Sequence, residues 1–234
     1  MNNYEKEFEK SIKNKRDNIN SEIVAFSHLN NVRLSDKFFR KYGDRIHWST
    51  VVMYFQLSED FMTMYEDKIS WYLVAFCQKN LSEEFIKKYK DKLNWDSLCL
   101  HQKLSEEMIE NNIEKINWRN ISEGQILSEE FIEKYQDKLN WINISISQTL
   151  SEEFIIRNLN KLNLAYISEC QTLSERFIEK YQDRLDWASI SEHQKLSENF
   201  VIRYLDKIYW NQLLKNHKVE ITSKIITSKQ LRNL

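Results

Sequence analysis

The stretch LSEEFIEKYQDKLNW, Leu127–Trp141, decides how this chain folds, because variants of it occur eight times. Leucines followed by serine or its equivalent phrase stand at positions 34, 57, 81, 104, 127, 150, 173 and 196, in steps of 23 or 24 residues. All seven tryptophans fall fourteen residues after such an anchor: Trp48, Trp71, Trp95, Trp118, Trp141, Trp187 and Trp210. Leu164 fills the one remaining slot. One register for every tryptophan is the signature of a repeat architecture, whose unit is too small to bury its apolar face alone.

Each unit reads as two short helices. In the fifth copy Ser128 suits an N-cap, because its hydroxyl accepts from an N–H of the first turn. Glu129 and Glu130 follow where the helix dipole favours carboxylates. Leu127 and Ile132 form a hydrophobic staple, and Phe131, Ile132 and Tyr135 lie on one apolar stripe. Asn140 then caps a second helix starting at Trp141, with Leu139 and Ile144 as its staple. His47, Ser70, Asn94, Asn117, Asn163, Asp186 and Tyr209 hold that cap slot elsewhere, Tyr209 and His47 being poor choices. The spacing predicts helices of roughly ten and eight residues.

Such helices borrow stability from their neighbours. The expected fold is therefore all-α, an elongated solenoid of about eight helix-turn-helix repeats with divergent terminal caps. The slot four after Trp is small through the middle of the array (Ala75, Cys99, Ser122, Ser145, Ser168, Ser191), which suits close helix approach. Layers ~8–10 Å apart make a rod or arc on the order of 70 Å long. We read residues 1–234 as a single repeat domain. Residues 1–33 are a degraded leading repeat or cap, in which DNINSEIVAF echoes DKLNWDSLCL; residues 34–210 are the repeats and 211–234 the C-terminal cap. The absence of proline and the presence of only two glycines agree with helix throughout.

The totals fit a soluble chain: 41% hydrophobic and 29% charged residues, with no apolar run long enough to span a bilayer. The charged N-terminus lacks the apolar region of a secretory signal. Three cysteines (Cys77, Cys99, Cys170) make neither a disulfide framework nor a zinc pattern, and point to a reducing compartment. The expected location is the cytoplasm. A net charge of −1 gives no general attraction to nucleic acid or membrane.

The phrase LSEEFIEKYQDKLNW…IS…Q.LSE.FI resembles short helical repeats of proteins from giant DNA viruses and from phages with AT-rich genomes. The resemblance covers Leu34 to Trp210. It implies a virus-like or phage-like origin, the host-cell cytoplasm as the place of action, and a binding role.

A catalytic constellation would have to break the repeat, and none does. The pairs Glu83–Glu84, Glu106–Glu107, Glu129–Glu130 and Glu152–Glu153 recur at helix starts, where dipole complementarity explains them without acid–base chemistry. Cys77, Cys170, His101 and His193 all fall six after the Trp slot, but equivalent positions a helix layer apart are too distant to share a metal. No glycine-rich phosphate loop or nucleophile elbow is present. The chain reads as a non-enzyme with no metal and no cofactor.

A basic ladder recurs eleven after the anchor: Arg45, Lys68, Lys92, Lys115, Lys138, Lys161, Arg184 and Lys207. Acidic neighbours immediately before most of its members neutralise it locally. From Arg203 to Leu234, seven Lys or Arg face two acids. Lys215, Lys218, Lys224, Lys229 and Arg232 are thus the candidate anion site of an alternative reading, an RNA- or nucleotide-binding repeat protein. The tryptophans are expected to be buried, and the Gln seven after each Trp slot to bond backbone at the turn into the next unit.

Positions one, two, five and six after Trp vary most. They form a strip along the second helices, which is the surface solenoids use for binding. The early copies are aromatic and apolar and the later ones acidic, a pattern of anchors and steering charges that suits a protein partner. The partner-binding candidates are Met53, Tyr54, Tyr72, Leu73, Phe76, Asp96, Leu100, His101, Arg119 and Glu123. The expected function is engagement of another protein, concretely as a host-directed inhibitor or counter-defence factor. A spacer without a partner is a third reading, and packing of the aromatic copies against the irregular N-terminal segment is the alternative to an interface.

Overall fold

A computed structural model describes residues 3–13, 19, 24 and 35–232. Among them there are eighteen α-helices and no strand, so the chain is an α-helical repeat solenoid. Leu34 lies outside the described residues, as does the DNINSEIVAF echo apart from Ile19 and Val24.

Helix α1 (Asn3–Ile12) precedes the repeats. The serine-capped helices are α2 (Asp36–Tyr42), α4 (Glu59–Met64), α6 (Glu83–Lys88), α8 (Glu106–Glu110), α10 (Glu129–Lys134), α12 (Glu152–Arg157), α14 (Glu175–Lys180) and α16 (Glu198–Arg203). The helices led by the Trp slot are α3 (Trp48–Tyr54), α5 (Trp71–Cys77), α7 (Trp95–His101), α9 (Trp118–Gly124), α11 (Trp141–Ser147), α13 (Leu164–Cys170), α15 (Trp187–His193) and α17 (Trp210–Leu213). Helix α18 (Ser223–Arg232) closes the chain.

All eight cap serines accept the N–H three residues on. The helices they start are five to seven residues long, shorter than the spacing predicts. They end at or before the residue eight after the anchor, whether it is tyrosine or asparagine: Asn158 leaves the helical region at φ −114°, ψ 19°. Tyr135 leaves the helical region (φ −110°, ψ 23°), and its ring lies 4.9 Å from that of Trp118. At the second cap, Asn94, Asn140, Asn163 and Asp186 accept from the first turn. His47 and Tyr209 make no such bond, as read from their chemistry; neither does Ser70.

The chain forms two compact units, Met1–Asn117 and Trp118–Leu234. In the first, α3, α5 and α7 pack in succession; in the second, α9, α11, α13, α15 and α17 do. The small slot makes this approach possible. In the second unit its serines also bind: Ser145 donates to the Trp141 carbonyl at 2.7 Å and accepts the Asn163 N–H at 3.0 Å. Ser191 holds the Tyr209 N–H at 3.0 Å in the same way, which fixes α17 although its cap residue has no capping side chain.

Within each unit, three further ladders join one repeat to the next. The buried glutamines bond backwards rather than forwards: Gln171 Nε2 donates to the carbonyls of Ser145 and Gln148, and its Oε1 accepts the Leu150 N–H. Within each unit the first glutamate of the serine-capped helix reaches forward to the next cap serine. Glu152 accepts from the Ser174 N–H and hydroxyl, and Glu129 does the same for Ser151. Where the ladder residue is lysine, it lies over the preceding tryptophan, as Lys161 does over Trp141 at 5.1 Å and Lys92 over Trp71 at 5.5 Å. Only Trp95 is buried; the other six tryptophans are half-buried, a correction to the expectation of full burial. One indole face and the N–H are used inside, the N–H donating to the carbonyl five residues back (Trp187 to Gln182, 2.8 Å), while the lysine stem covers the rest.

At the start of the first unit, α1 adds Phe8 and Ile12 to a core with Ile19, Phe38, Phe39 and Ile46. At the end of the second, the repeat phrase survives in altered form. Thr222 replaces the cap serine and accepts the Ile225 N–H, Glu198 accepts from its hydroxyl, and Asn216 takes the glutamine's place on the Ser191 and Gln194 carbonyls. The single step of 24 residues, Leu57 to Leu81, is absorbed by Asn80 at φ 56°. Asparagine is among the few residues that tolerate that left-handed conformation.

Candidate interaction surface

A short seven-residue helix fixed by its Trp slot, small slot and glutamine leaves one side outward. In the first unit that side carries Met53, Tyr54, Tyr72 and Phe76, which are 51%, 48%, 56% and 49% exposed. Four large apolar side chains half open to water on adjacent helices α3 and α5 make a patch of the kind that marks interaction sites. The patch is ordered internally. The Tyr72 and Phe76 rings are parallel, 6.4 Å apart, and the His101 ring meets Phe76 edge-on at 4.7 Å. Leu73 and Leu100 are half-buried beneath it. Asp96 is exposed and accepts the Asn117 amide at 2.7 Å.

In the second unit Arg119 and Glu123 occupy the same register on α9 and are exposed. Asn143 Nδ2 lies 3.3 Å from the Arg119 carbonyl and 3.3 Å from Glu123 Oε2. Beside them on α11, Ile142 and Ile146 are also exposed, an apolar pair that the candidate set omits. Their alternation with serine and asparagine in WINISIS was the available signal.

The C-terminal cations do not converge. Lys215 is 3.8 Å from Glu192, Lys218 donates to the His193 carbonyl, Lys224 is 2.9 Å from Glu198, and Lys229 lies 3.8 Å from the Trp210 ring centre. The side chain of Arg232 is outside the described residues. The basic ladder is likewise engaged: Lys92 pairs with Glu66 and Lys207 with Asp183, each in the preceding repeat.

Cys99 is fully buried in the small slot, and burial pushes its thiol up to about 11. Cys77 is half-buried and Cys170 exposed, both thiols raised, chiefly by desolvation. Among the described residues no three His, Cys, Asp or Glu side chains group together in a metal-ligating arrangement, and no helix is long and apolar enough to cross a membrane. Comparisons with known protein families, with characterised proteins and with solved structures find no match to this chain.

Proposed function

We propose that the chain is a non-enzymatic binding protein whose target is another protein, held by the aromatic patch of the first unit. The observation that carries this reading is the exposure of Met53, Tyr54, Tyr72 and Phe76 on helices whose other faces are committed to the stack. Exposed aromatics with two rotatable side-chain bonds lose little entropy on contact and dominate protein interfaces. Arg119 and Glu123 belong to the same reading as polar contacts of equivalent register. With the virus-like character of the repeat, the concrete form of the proposal is an inhibitor of a host or defence-system protein, acting in the host cytoplasm. The RNA-tracking alternative has less support, because the ladder lysines it needs are already paired or laid over tryptophan.

The test is affinity capture from host lysate with the wild-type chain and the Tyr72→Ala/Phe76→Ala variant. A surface pair changes stability by no more than about 0.5 kcal/mol per site, whereas hot-spot loss weakens binding by about 2 kcal/mol or more. Specific capture that disappears in a variant of unchanged melting temperature is the expected result. A marked fall in melting temperature, or capture retained by the variant, removes the patch from the interface.

A further inference from the structure

Helix α1 buries Phe8 and Ile12 against the first repeat and turns a different side outward. On that side Lys6, Lys10 and Lys13 are exposed, spaced four and three residues apart and so aligned on one helical stripe. Lys41, at the end of α2, and Arg45, in the turn after it, lie opposite. Together with Glu9, Ile12 and Tyr42 these side chains line an open cleft of about 550 Å³. Five cations thus surround one carboxylate.

That carboxylate is already committed. Glu9 Oε1 accepts from Lys41 Nζ at 2.6 Å and from the Tyr42 hydroxyl at 2.8 Å. The bonds from Lys41 and Tyr42 hold the Glu9 carboxyl below its usual range, so it stays ionised and fixes Lys41 at the cleft wall. Lys41 and Arg45 also sit 5.2 and 5.7 Å from the Tyr42 ring centre. Among the described residues, Lys6, Lys10 and Lys13 form no ion pair, in contrast to Lys92, Lys115 and Lys207 of the ladder.

The stripe from Lys6 to Lys13 rises ~10 Å along the helix. An orthophosphate meets one or two of its ammonium groups, whereas a row of linked phosphates meets all three and the facing wall together. The concave shape and short span favour a compact ligand over a long strand. A nucleic-acid groove needs cations that continue beyond the cleft, and among the described residues the ladder lysines Lys92 and Lys115 are spent on carboxylates and indoles.

We propose that the cleft between α1 and α2 binds a compact polyphosphate anion, such as inorganic tripolyphosphate or the triphosphate of a nucleotide. The site is separate from the aromatic patch, and its occupancy does not depend on the protein-binding role. Isothermal titration of the full chain at low salt, with tripolyphosphate, orthophosphate and an oligouridylate lacking terminal phosphate as probes, tests it. Tripolyphosphate is expected to bind at least about tenfold tighter than orthophosphate and to weaken as salt rises. The Lys10→Glu/Lys13→Glu variant is expected to lose at least about tenfold in affinity at unchanged melting temperature, both residues being exposed; Lys215→Glu/Lys218→Glu should bind as wild type. Adenosine triphosphate against tripolyphosphate shows whether a base adds affinity, and tighter binding of either supports the site. Equal binding of the two inorganic anions, no binding at low salt, or full binding by the α1 variant overturns the proposal. So does tighter binding of the oligouridylate, which would make the cleft part of a nucleic-acid track.

Discussion

Gln171 donates to two carbonyls of the preceding repeat at 3.2 and 2.7 Å and accepts the Leu150 N–H at 3.0 Å. All the groups it joins are in a buried junction, so no water replaces it. An unsatisfied buried donor or acceptor costs about 1–3 kcal/mol. Gln171→Leu, similar in size and apolar, is therefore expected to destabilise the chain by about 2–4 kcal/mol, checked by urea denaturation. Gln194, with the same three bonds, should behave alike; a loss of under half a kcal/mol at either site contradicts the ladder. That a glutamine seven after each tryptophan is buried was legible from its recurrence. Its direction was not, because a period states that two units touch and leaves open which of them supplies the acceptors. The tryptophans show the same limit: their register was plain, but the lysine that covers their outer face comes from the next copy, and in the sequence it sits beside an aspartate that looks like its partner.

At the scale of the element, the acidic start of each serine-capped helix performs two tasks. The dipole argument accounts for the second carboxylate, exposed at Glu84, Glu130 and Glu153. The first is a clamp on the next helix, as Glu83 is on Ser105, with the N–H at 2.9 Å. The Ser105 hydroxyl and N–H hold the Glu83 carboxyl below its usual range. A folded-state value below the unfolded one contributes stability that is present above the ordinary carboxylate range and is lost as pH falls through the lowered value. Asp186, lowered mainly by the Ser189 hydroxyl, and Glu9 act in the same sense. The melting temperature is thus expected to hold near neutrality and to fall as pH drops below ~4. Glu83→Gln should melt below wild type at neutral pH, and the gap should close in acid, where wild type also loses the charge. A gap that stays constant with pH would assign Glu83 a packing role only. Nothing in SEEF distinguishes a clamp from a dipole partner, since both want a carboxylate in the first turn; the distinction needs the neighbouring copy in place.

Among the described residues of the repeats, the side-chain hydrogen bonds between elements join residues 18 to 27 apart in sequence, which is one repeat to the next. Stability in such a chain is close to a sum of unit and nearest-neighbour terms. The fold was therefore legible in the sequence: a 23-residue period with a cap serine and a single tryptophan register leaves little else for the chain to do. It was less informative about the surface. The variable positions singled out Tyr72 and Phe76 but left interface and core both open until their exposure was seen, and the cleft of α1 joins Lys6, Lys10 and Lys13 to Lys41 and Arg45 across a segment whose repeat register is degraded. The additive picture has a direct consequence. Excising Leu150–Thr172 joins Thr149 to Leu173 in register, and the bonds that Gln171 made to the Ser145 and Gln148 carbonyls can be made by Gln194 instead, because both use the same atoms on the same slots. The shortened chain is expected to fold, to keep its helical circular dichroism per residue, and to unfold with a denaturant m-value lower by about a tenth, in proportion to the surface removed. Excising an equal length from another phase of the unit, Phe154 to Arg176, joins Glu153 to Phe177 and also keeps the register, although the serine-capped helix is then built from two copies, and it should fold equally well if only the period matters. Excising twenty residues from the same point shifts the small slot, the glutamine and the tryptophan off their partners together, and loss of cooperative unfolding there is the outcome that ties stability to the registered ladders rather than to helix content.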